Sequence, residues 1–212
     1  MRALTFGFVG VLLSAGCASG SDASPTTIAP TTTITPTTTI APVPHPLEEV
    51  EGCVFNPGPK VWICEPDTDL IGLNLAGADL TGAELYAADL TGADLNGAEL
   101  YVADLGGANL TGANLTEARL GDASLWGANL TGANLTGVDL TGVDLYIADL
   151  DGANLTGADL TEATMGYADL NGANLTDADL SFAALASVTG WNTVKGKDTI
   201  IGLGQAFNVP AS

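Results

Sequence analysis

Carboxylates are the reactive group this chain holds in quantity. It carries 25 Asp and Glu against 5 Lys and Arg, and 19 of the acids lie between Asp67 and Asp179, where Arg119 is the only base. Paired carboxylates can do general acid–base work, and stacked ones can chelate a hard cation such as calcium. A catalytic carboxyl needs an environment that pushes its pKa away from its partner's, whereas these acids recur at fixed spacing with no sign of a desolvating pocket. No EF-hand loop or Gly-rich nonapeptide accompanies them, so calcium held by Asp columns is the one cofactor the pattern could take. His45 is the only histidine, which rules out a Ser–His or Cys–His nucleophile and leaves zinc short of ligands. None of the glycines forms a phosphate loop with its lysine. The chain reads as a non-enzyme. Its formal net charge of −20 repels phosphate, so nucleic acid and anionic lipid are poor partners.

The acids sit within a register that dictates the architecture. From Leu70 to Leu185 every fifth residue is leucine, with Met165 the only exception among 24 positions. A five-residue step scatters side chains around a helix and alternates them across a strand, so neither element could bury this pattern. If the chain instead turns by a similar amount at each repeat, all the leucines can share one interior, as in a solenoid whose coils stack on one another. Two residues before each leucine, from Ala78 to Ala183, stands alanine, apart from Val138 and Val143. The residue just before the leucine is Asp, Asn or Glu in 20 of 24 repeats, with Arg119, Ser124, Thr164 and Ala184 as departures. Thr and Gly dominate the next two positions, the chemistry a corner needs. The six Asn-Leu-Thr triplets beginning at Asn109, Asn114, Asn129, Asn134, Asn154 and Asn174 match the N-glycosylation sequon, but they follow automatically from the repeat.

Units such as Ala78-Asp79-Leu80-Thr81-Gly82 and Ala133-Asn134-Leu135-Thr136-Gly137 resemble the pentapeptide-repeat family, A-(D/N)-L-x-x, over residues 68–187. The resemblance implies an all-β fold, a right-handed quadrilateral β-helix with four repeats to a coil and about six coils. At a strand spacing of about 4.8 Å the rod would be about 29 Å long.

Open solenoid ends need covering. Residues 51–67 contain two apolar arms, Cys53-Val54-Phe55 and Val61-Trp62-Ile63-Cys64, around a Pro/Gly turn, which predicts an N-terminal hairpin cap. In residues 188–212 the leucine register stops, and Trp191, Ile200, Ile201, Leu203 and Phe207 supply bulk for a C-terminal cap or a homodimer contact.

Residues 1–16 have the layout of a secretory signal peptide, with Arg2, an apolar stretch to Leu13, and Ser14, Ala15 and Gly16. The small residues leading into Cys17 resemble the lipobox of bacterial lipoproteins, in which Cys17 would be lipidated. Ser14 stands where that motif most often has leucine, so plain secretion with an unlipidated Cys17 is the alternative. The remaining pair then favours a Cys53–Cys64 disulfide in an exported chain. Within residues 17–50 the Thr/Pro-rich stretch is expected to stay disordered, a tether of some 30 residues reaching up to roughly 90 Å.

With 20 residues per coil, Tyr86, Trp126 and Tyr146 fall in one outward column and Tyr101 on a neighbouring side. Exposed aromatics at coil spacing could stack on sugar rings or on a protein, or could simply shield glycine backbone. The sequence therefore describes an exported, membrane-tethered lipoprotein of the bacterial cell envelope, touching the membrane through its lipid anchor alone. It would serve as a rigid acidic scaffold for an unidentified protein or glycan at the cell surface. The alternative is a DNA mimic, since the fluoroquinolone-resistance proteins of the resembled family are acidic rods that bind DNA gyrase.

Overall fold

The computed structural model describes residues 47, 48 and 50–210. The signal peptide expected at 1–16, the lipidation position Cys17 and the linker as far as residue 46 lie outside the described residues.

Each repeat contributes one short side and one corner. The residue before each leucine pairs in parallel with the residue 20 positions on, giving four unbroken ladders along the pentapeptide region. Side 1 runs through Asp69, Asp89, Asn109, Asn129, Asp149 and Asp169, and side 2 through Asn74, Asp94, Asn114, Asn134, Asn154 and Asn174. Side 3 holds Asp79, Glu99, Arg119, Asp139, Asp159 and Asp179, and side 4 holds Glu84, Asp104, Ser124, Asp144, Thr164 and Ala184. On every side the leucine amide donates to the next coil, as Leu90 N–H does to Asn109 O at 2.8 Å, and the ladder residue donates back to the coil before, as Asn109 N–H does to Ala88 O at 2.9 Å. Such pairing satisfies the backbone although no run of strand is longer than one bridge.

The corner is a β-turn in which the alanine amide donates to the preceding leucine carbonyl, as from Ala83 to Leu80 at 2.9 Å. Its third residue is left-handed, with φ of 62–67° at the glycines of the pentapeptide region. Ala87, Val102, Glu117, Asp122, Ile147, Glu162, Tyr167, Asp177, Phe182 and Ser187 hold the same conformation without being glycine. Asp and Asn brace the turn, since Oδ1 accepts the N–H two residues on, as in Asp139 to Thr141 at 3.1 Å. The 24 leucine-register side chains are at most 1% exposed and pack with the alanines into one continuous core.

The amino-terminal hairpin pairs β1 (Cys53–Asn56) with β2 (Val61–Cys64) in antiparallel register, and a disulfide joins Cys53 to Cys64. It is part of the solenoid rather than an appendage. Ile63 pairs in parallel with Glu84, extending side 4, so Trp62 and Cys64 point inward at the places that alanine and leucine hold in the repeats. The expected linker boundary at residue 50 moves toward the amino terminus. Leu47 is fully buried, Val50 packs against the core, and the Val50 and Cys53 amides donate to Leu47 O and Val50 O. An apolar side chain at the open end of a leucine core gains more from burial than from solvation, which ties this stretch down.

The carboxyl-terminal segment adds a further coil to the solenoid. The leucine register stops at Leu185, yet the ladders continue for another turn with a six-residue period, Thr189, Lys195, Ile201 and Phe207 pairing with Asp169, Asn174, Asp179 and Ala184. Left-handed Gly190, Gly196, Gly202 and Asn208 directly follow the ladder residues, and short 3-10 turns at Trp191–Thr193 and Lys197–Thr199 absorb the extra length. Val188 and Val194 are buried, with Ile200 and Ala206 partly buried in the same column. Trp191, Leu203 and Val209 fill the second inward column, where Lys197 also falls; its Nζ donates to Trp191 O at 3.2 Å and Asn192 O at 3.4 Å.

Candidate recognition surface

The four sides carry different chemistry. Side 2 is an amide and hydroxyl ladder closed on itself. Asn134, Asn154 and Asn174 each donate from Nδ2 to the threonine hydroxyl of the preceding coil, Thr116, Thr136 and Thr156, at 2.9 Å. Those hydroxyls in turn donate to the asparagine of their own repeat. Such a side offers little unspent hydrogen-bonding capacity. Side 3 is acidic, relieved by the exposed Arg119–Glu99 ion pair at 3.2 Å, an interaction worth little in water.

Side 4 differs from both. The residues directly after its leucines are Tyr86, Gly106, Trp126, Tyr146, Gly166 and Ala186, and the corner residues that follow include Ile147 and Tyr167. The carboxylates of its ladder end at Asp144; beyond them come Thr164, Ala184 and Phe207. Tyr86, Trp126, Tyr146, Ile147, Tyr167 and Phe207 are all exposed, as is Phe182 at the corner entering the same side. Tyr146 and Tyr167 meet edge to face with ring centroids 5.5 Å apart, an arrangement aromatic quadrupoles favour. A rod of net charge −20 thus presents one strip of aromatic surface whose ladder carries no charge beyond Asp144, with Glu162 at its edge.

The tyrosines are held by glycines one coil on. A methyl group added at Gly106 would lie 3.2 Å from Tyr86 Cδ2, at Gly166 2.9 Å from Tyr146 Cδ2, and at Gly121 2.7 Å from Tyr101 Cε1. Each ring therefore occupies the space a side chain would take, and these are the three glycines found directly after a leucine-register residue, Leu105, Leu120 and Met165. Trp126 is followed one coil on by Tyr146 instead of glycine.

Of the residues expected to form a binding surface, Tyr86, Trp126 and Tyr146 share side 4, and Tyr101 stands apart on side 3. There its hydroxyl donates to Asp139 Oδ2 at 3.2 Å. Desolvation and then the Asp139 carboxylate raise the Tyr101 phenol above its ordinary value, opposed in part by Arg119. Tyr167, Phe182 and Ile147 were not anticipated as surface residues of interest, and Phe207, expected among the apolar residues of a C-terminal cap or homodimer contact, stands exposed in the ladder of side 4. The signal for the first three was an aromatic or branched residue at the corner position that glycine usually fills.

Among the described residues, no group of three or more His, Cys, Asp or Glu is arranged to hold a metal ion. Many of the stacked carboxylates are turned to their own corners, where Oδ1 accepts a local amide, as at Asp89, Asp104 and Asp149. No helix among the described residues is long and apolar enough to cross a membrane. A shallow cavity of about 320 Å³ lies near the hairpin, lined by Glu48, Phe55, Lys60, Trp62 and Asp79, with no aromatic of side 4 in its wall.

A family model for pentapeptide repeats matches residues 67–100, 93–125, 108–146, 118–157 and 153–189. No curated protein matches the chain. Among solved structures it is similar to a pentapeptide-repeat protein of the Arabidopsis thaliana thylakoid lumen, at 41% identity over 45% of this chain and 66% of that one, with a TM-score of 0.44. It is also similar to HetL from the cyanobacterium Nostoc, a protein involved in heterocyst differentiation regulation, at 32% identity over 66% of this chain and 72% of that one, with a TM-score of 0.35. Rfr23 from the cyanobacterium Cyanothece is 31% identical over 49% of this chain and 63% of that one, with a TM-score of 0.29.

Proposed function

Because the chain belongs to the pentapeptide-repeat family, whose members form right-handed quadrilateral β-helices, we propose that it is a non-enzymatic scaffold that binds a partner through side 4. The observation that carries this is the exposed aromatic strip from Trp126 through Tyr146 and Tyr167 on a chain of net charge −20. Monomeric proteins rarely leave such residues contiguous and uncovered without a use for them. The backbone beneath is fixed by coil-to-coil hydrogen bonds, so the rings are positioned before a partner arrives, which lowers the ordering cost of binding.

In this reading the solenoid has about six coils, and the disulfide-closed hairpin and the six-residue coil act as its amino- and carboxyl-terminal caps. Residues 1–16 direct export, Cys17 carries the lipid, and the Thr/Pro-rich segment holds the rod away from the membrane to which that lipid anchors it. The sequence layout of residues 1–46 supports this arrangement.

The test is co-sedimentation of the full chain, carrying Cys17→Ser so that no lipid can retain it, with isolated bacterial envelope material freed of membrane, comparing it with the same chain bearing in addition Trp126→Ala, Tyr146→Ala and Tyr167→Ala. All three side chains point outward, so the variant keeps the core. The expected result is retention of the parent chain and loss of retention in the variant. Equal retention of both would sink side 4 as the binding face. The competing DNA-mimic reading expects the chain to inhibit gyrase supercoiling through its acidic sides, with the triple variant as active as the wild type.

A further inference from the structure

We propose that the partner of side 4 is a neutral, extended polysaccharide running along the solenoid axis, stacked on Tyr86, Trp126, Tyr146 and Tyr167. This rests on the reading of side 4 as the binding face.

Shape is the first argument. The aromatics follow side 4 and its edge: from Tyr86 to Tyr167 they span about four coils, about 19 Å, on a side that over six coils at about 4.8 Å is about 29 Å long. A flat strip about 10 Å across would then bury about 290 Å² on this chain, well short of the roughly 800 Å² per partner of a stable protein interface. A second copy or a globular partner seated on this strip alone is therefore disfavoured, whereas a narrow linear polymer needs no more width than the strip offers.

Spacing is the second. Tyr86 and Trp126 are separated by two coils across the tread of Gly106; Tyr146 follows Trp126 by one coil, and Tyr167 follows one coil later again, displaced by one residue onto the corner. Two coils make about 9.6 Å, close to the disaccharide repeat of an extended β-1,4-linked glycan, in which alternate rings present the same face. Tyr86 and Tyr146, lodged against Gly106 and Gly166, are placed to offer ring surface to a sugar instead of swinging free.

Charge is the third. A neutral polymer approaches a rod of net charge −20 without the repulsion a polyanion meets. The polar groups beside the rings suit hydroxyls: Ser124 is a hydroxyl itself, and Asp104 and Asp144 commit Oδ1 to Gly106 and Tyr146 amides while standing in the ladder between the aromatics. Aromatic faces flanked by fixed hydrogen-bond acceptors match the alternation of C–H and O–H surfaces on a sugar chain.

Trp126 supplies the readout. Trp62 and Trp191 are 5% exposed and Trp126 is 45% exposed, so a ligand stacking on side 4 should change the fluorescence of Trp126 selectively. The full chain would be titrated with chitohexaose and cellohexaose, with maltohexaose as the α-linked control. The expected result is a saturable change with a β-1,4-linked hexasaccharide. Affinity should fall at least tenfold in Tyr146→Ala, binding detected by calorimetry should vanish in Trp126→Ala, and Tyr101→Ala on side 3 should bind as the wild type does.

The absence of a saturable change with both β-1,4-linked hexasaccharides, or unchanged affinity in Trp126→Ala, would overturn the glycan assignment. Envelope co-sedimentation separates the two failures. If retention still depends on the triple variant but is not competed by the hexasaccharides, the glycan falls and the binding face stands; if the triple variant is retained like the wild type, both fall.

Discussion

The pentapeptide coils and the six-residue coil solve the same problem with different corners. Both continue the same four ladders, and both need one left-handed residue per side. In the pentapeptide coils that residue comes two after the inward leucine and at most corners faces open space: an added methyl at Gly72, Gly92, Gly112, Gly132 or Gly152 would meet nothing within 4 Å, and the tight contacts, at Gly82 and Gly142, are with the side chains of Val61 and Asp122. In the six-residue coil it comes directly after the ladder residue and lies on the coil before. An added methyl at Gly190, Gly196 or Gly202 would enter space held by Asn171, Thr176 or Ser181 backbone. The first corner demands only a backbone angle; the second demands the angle and the absence of a side chain. Substitution follows that logic. Ten corners of the pentapeptide region tolerate residues as large as Tyr167 and Phe182, while the terminal coil uses glycine three times and Asn208 once, at its last corner.

The sharpest way to break this comparison is to truncate the interior of each region. Leu130 is fully buried with coils on both sides, so Leu130→Ala should cost about 3–5 kcal/mol in urea unfolding. Leu203 is partly buried at the open end of the stack, where the structure can relax and less area is lost, so Leu203→Ala should cost about 1–2 kcal/mol. Equal costs would mean that the terminal coil is packed as an interior layer, with something further covering it.

Corner chemistry gives the next effect. Gly132→Ala places alanine at φ +63° with open space around it and should cost about 1–2 kcal/mol. Gly196→Ala adds collision with Thr176 backbone to the same penalty and should cost about 3 kcal/mol, because overpacking forces a backbone shift. Thermal unfolding of the two variants measures the difference; equal shifts would show that contact adds nothing to the angle.

A smaller effect separates the two aromatic sides from the corners they cover. Gly121→Ala should displace the Tyr101 ring and cost about 1 kcal/mol, and the same change in a Tyr101→Ala background should be close to neutral, since residues in contact couple. An additive double-mutant cycle would mean that Tyr101 and Gly121 are neighbours without being partners.

Legibility in the sequence tracked repeat number and side-chain uniformity. The leucine and alanine columns were readable because 24 units repeat nearly the same large and small side chains. The six-residue coil was present as Val188, Val194, Ile200, Ala206 and Gly190, Gly196, Gly202, Asn208, but four units are few. Its second inward column reads Trp191, Lys197, Leu203, Val209, so the lysine, lying across the coil end and bonded to Trp191 O, hides the apolar period. The same cause explains Leu47, an isolated apolar residue beside the Thr/Pro-rich stretch whose burial depends on the open core it meets. On the candidate surface, column membership of Tyr86, Trp126 and Tyr146 followed from the coil length. Tyr167 was missed because it occupies a corner position, one residue later than the column, and reaches Tyr146 only through the geometry of a left-handed residue.

Tyr101 provides the smallest and most local test of how a side differs from the column next to it. Its phenol is raised first by desolvation and then by the Asp139 carboxylate, which accepts its proton in a hydrogen bond. The folded state therefore favours the protonated phenol. The stability this contributes is complete below the unfolded tyrosine value of about 10 and is lost as pH rises through the higher folded value. Absorbance titration of the phenolate should give Tyr101 a half-ionisation point above that of a free phenol. Asp139→Asn should lower it without abolishing the shift, because desolvation, the larger cause, remains. A titration of Tyr101 that does not respond to Asp139→Asn would place the carboxylate out of electrical contact with the ring and remove the link between this aromatic and the acidic side it stands on.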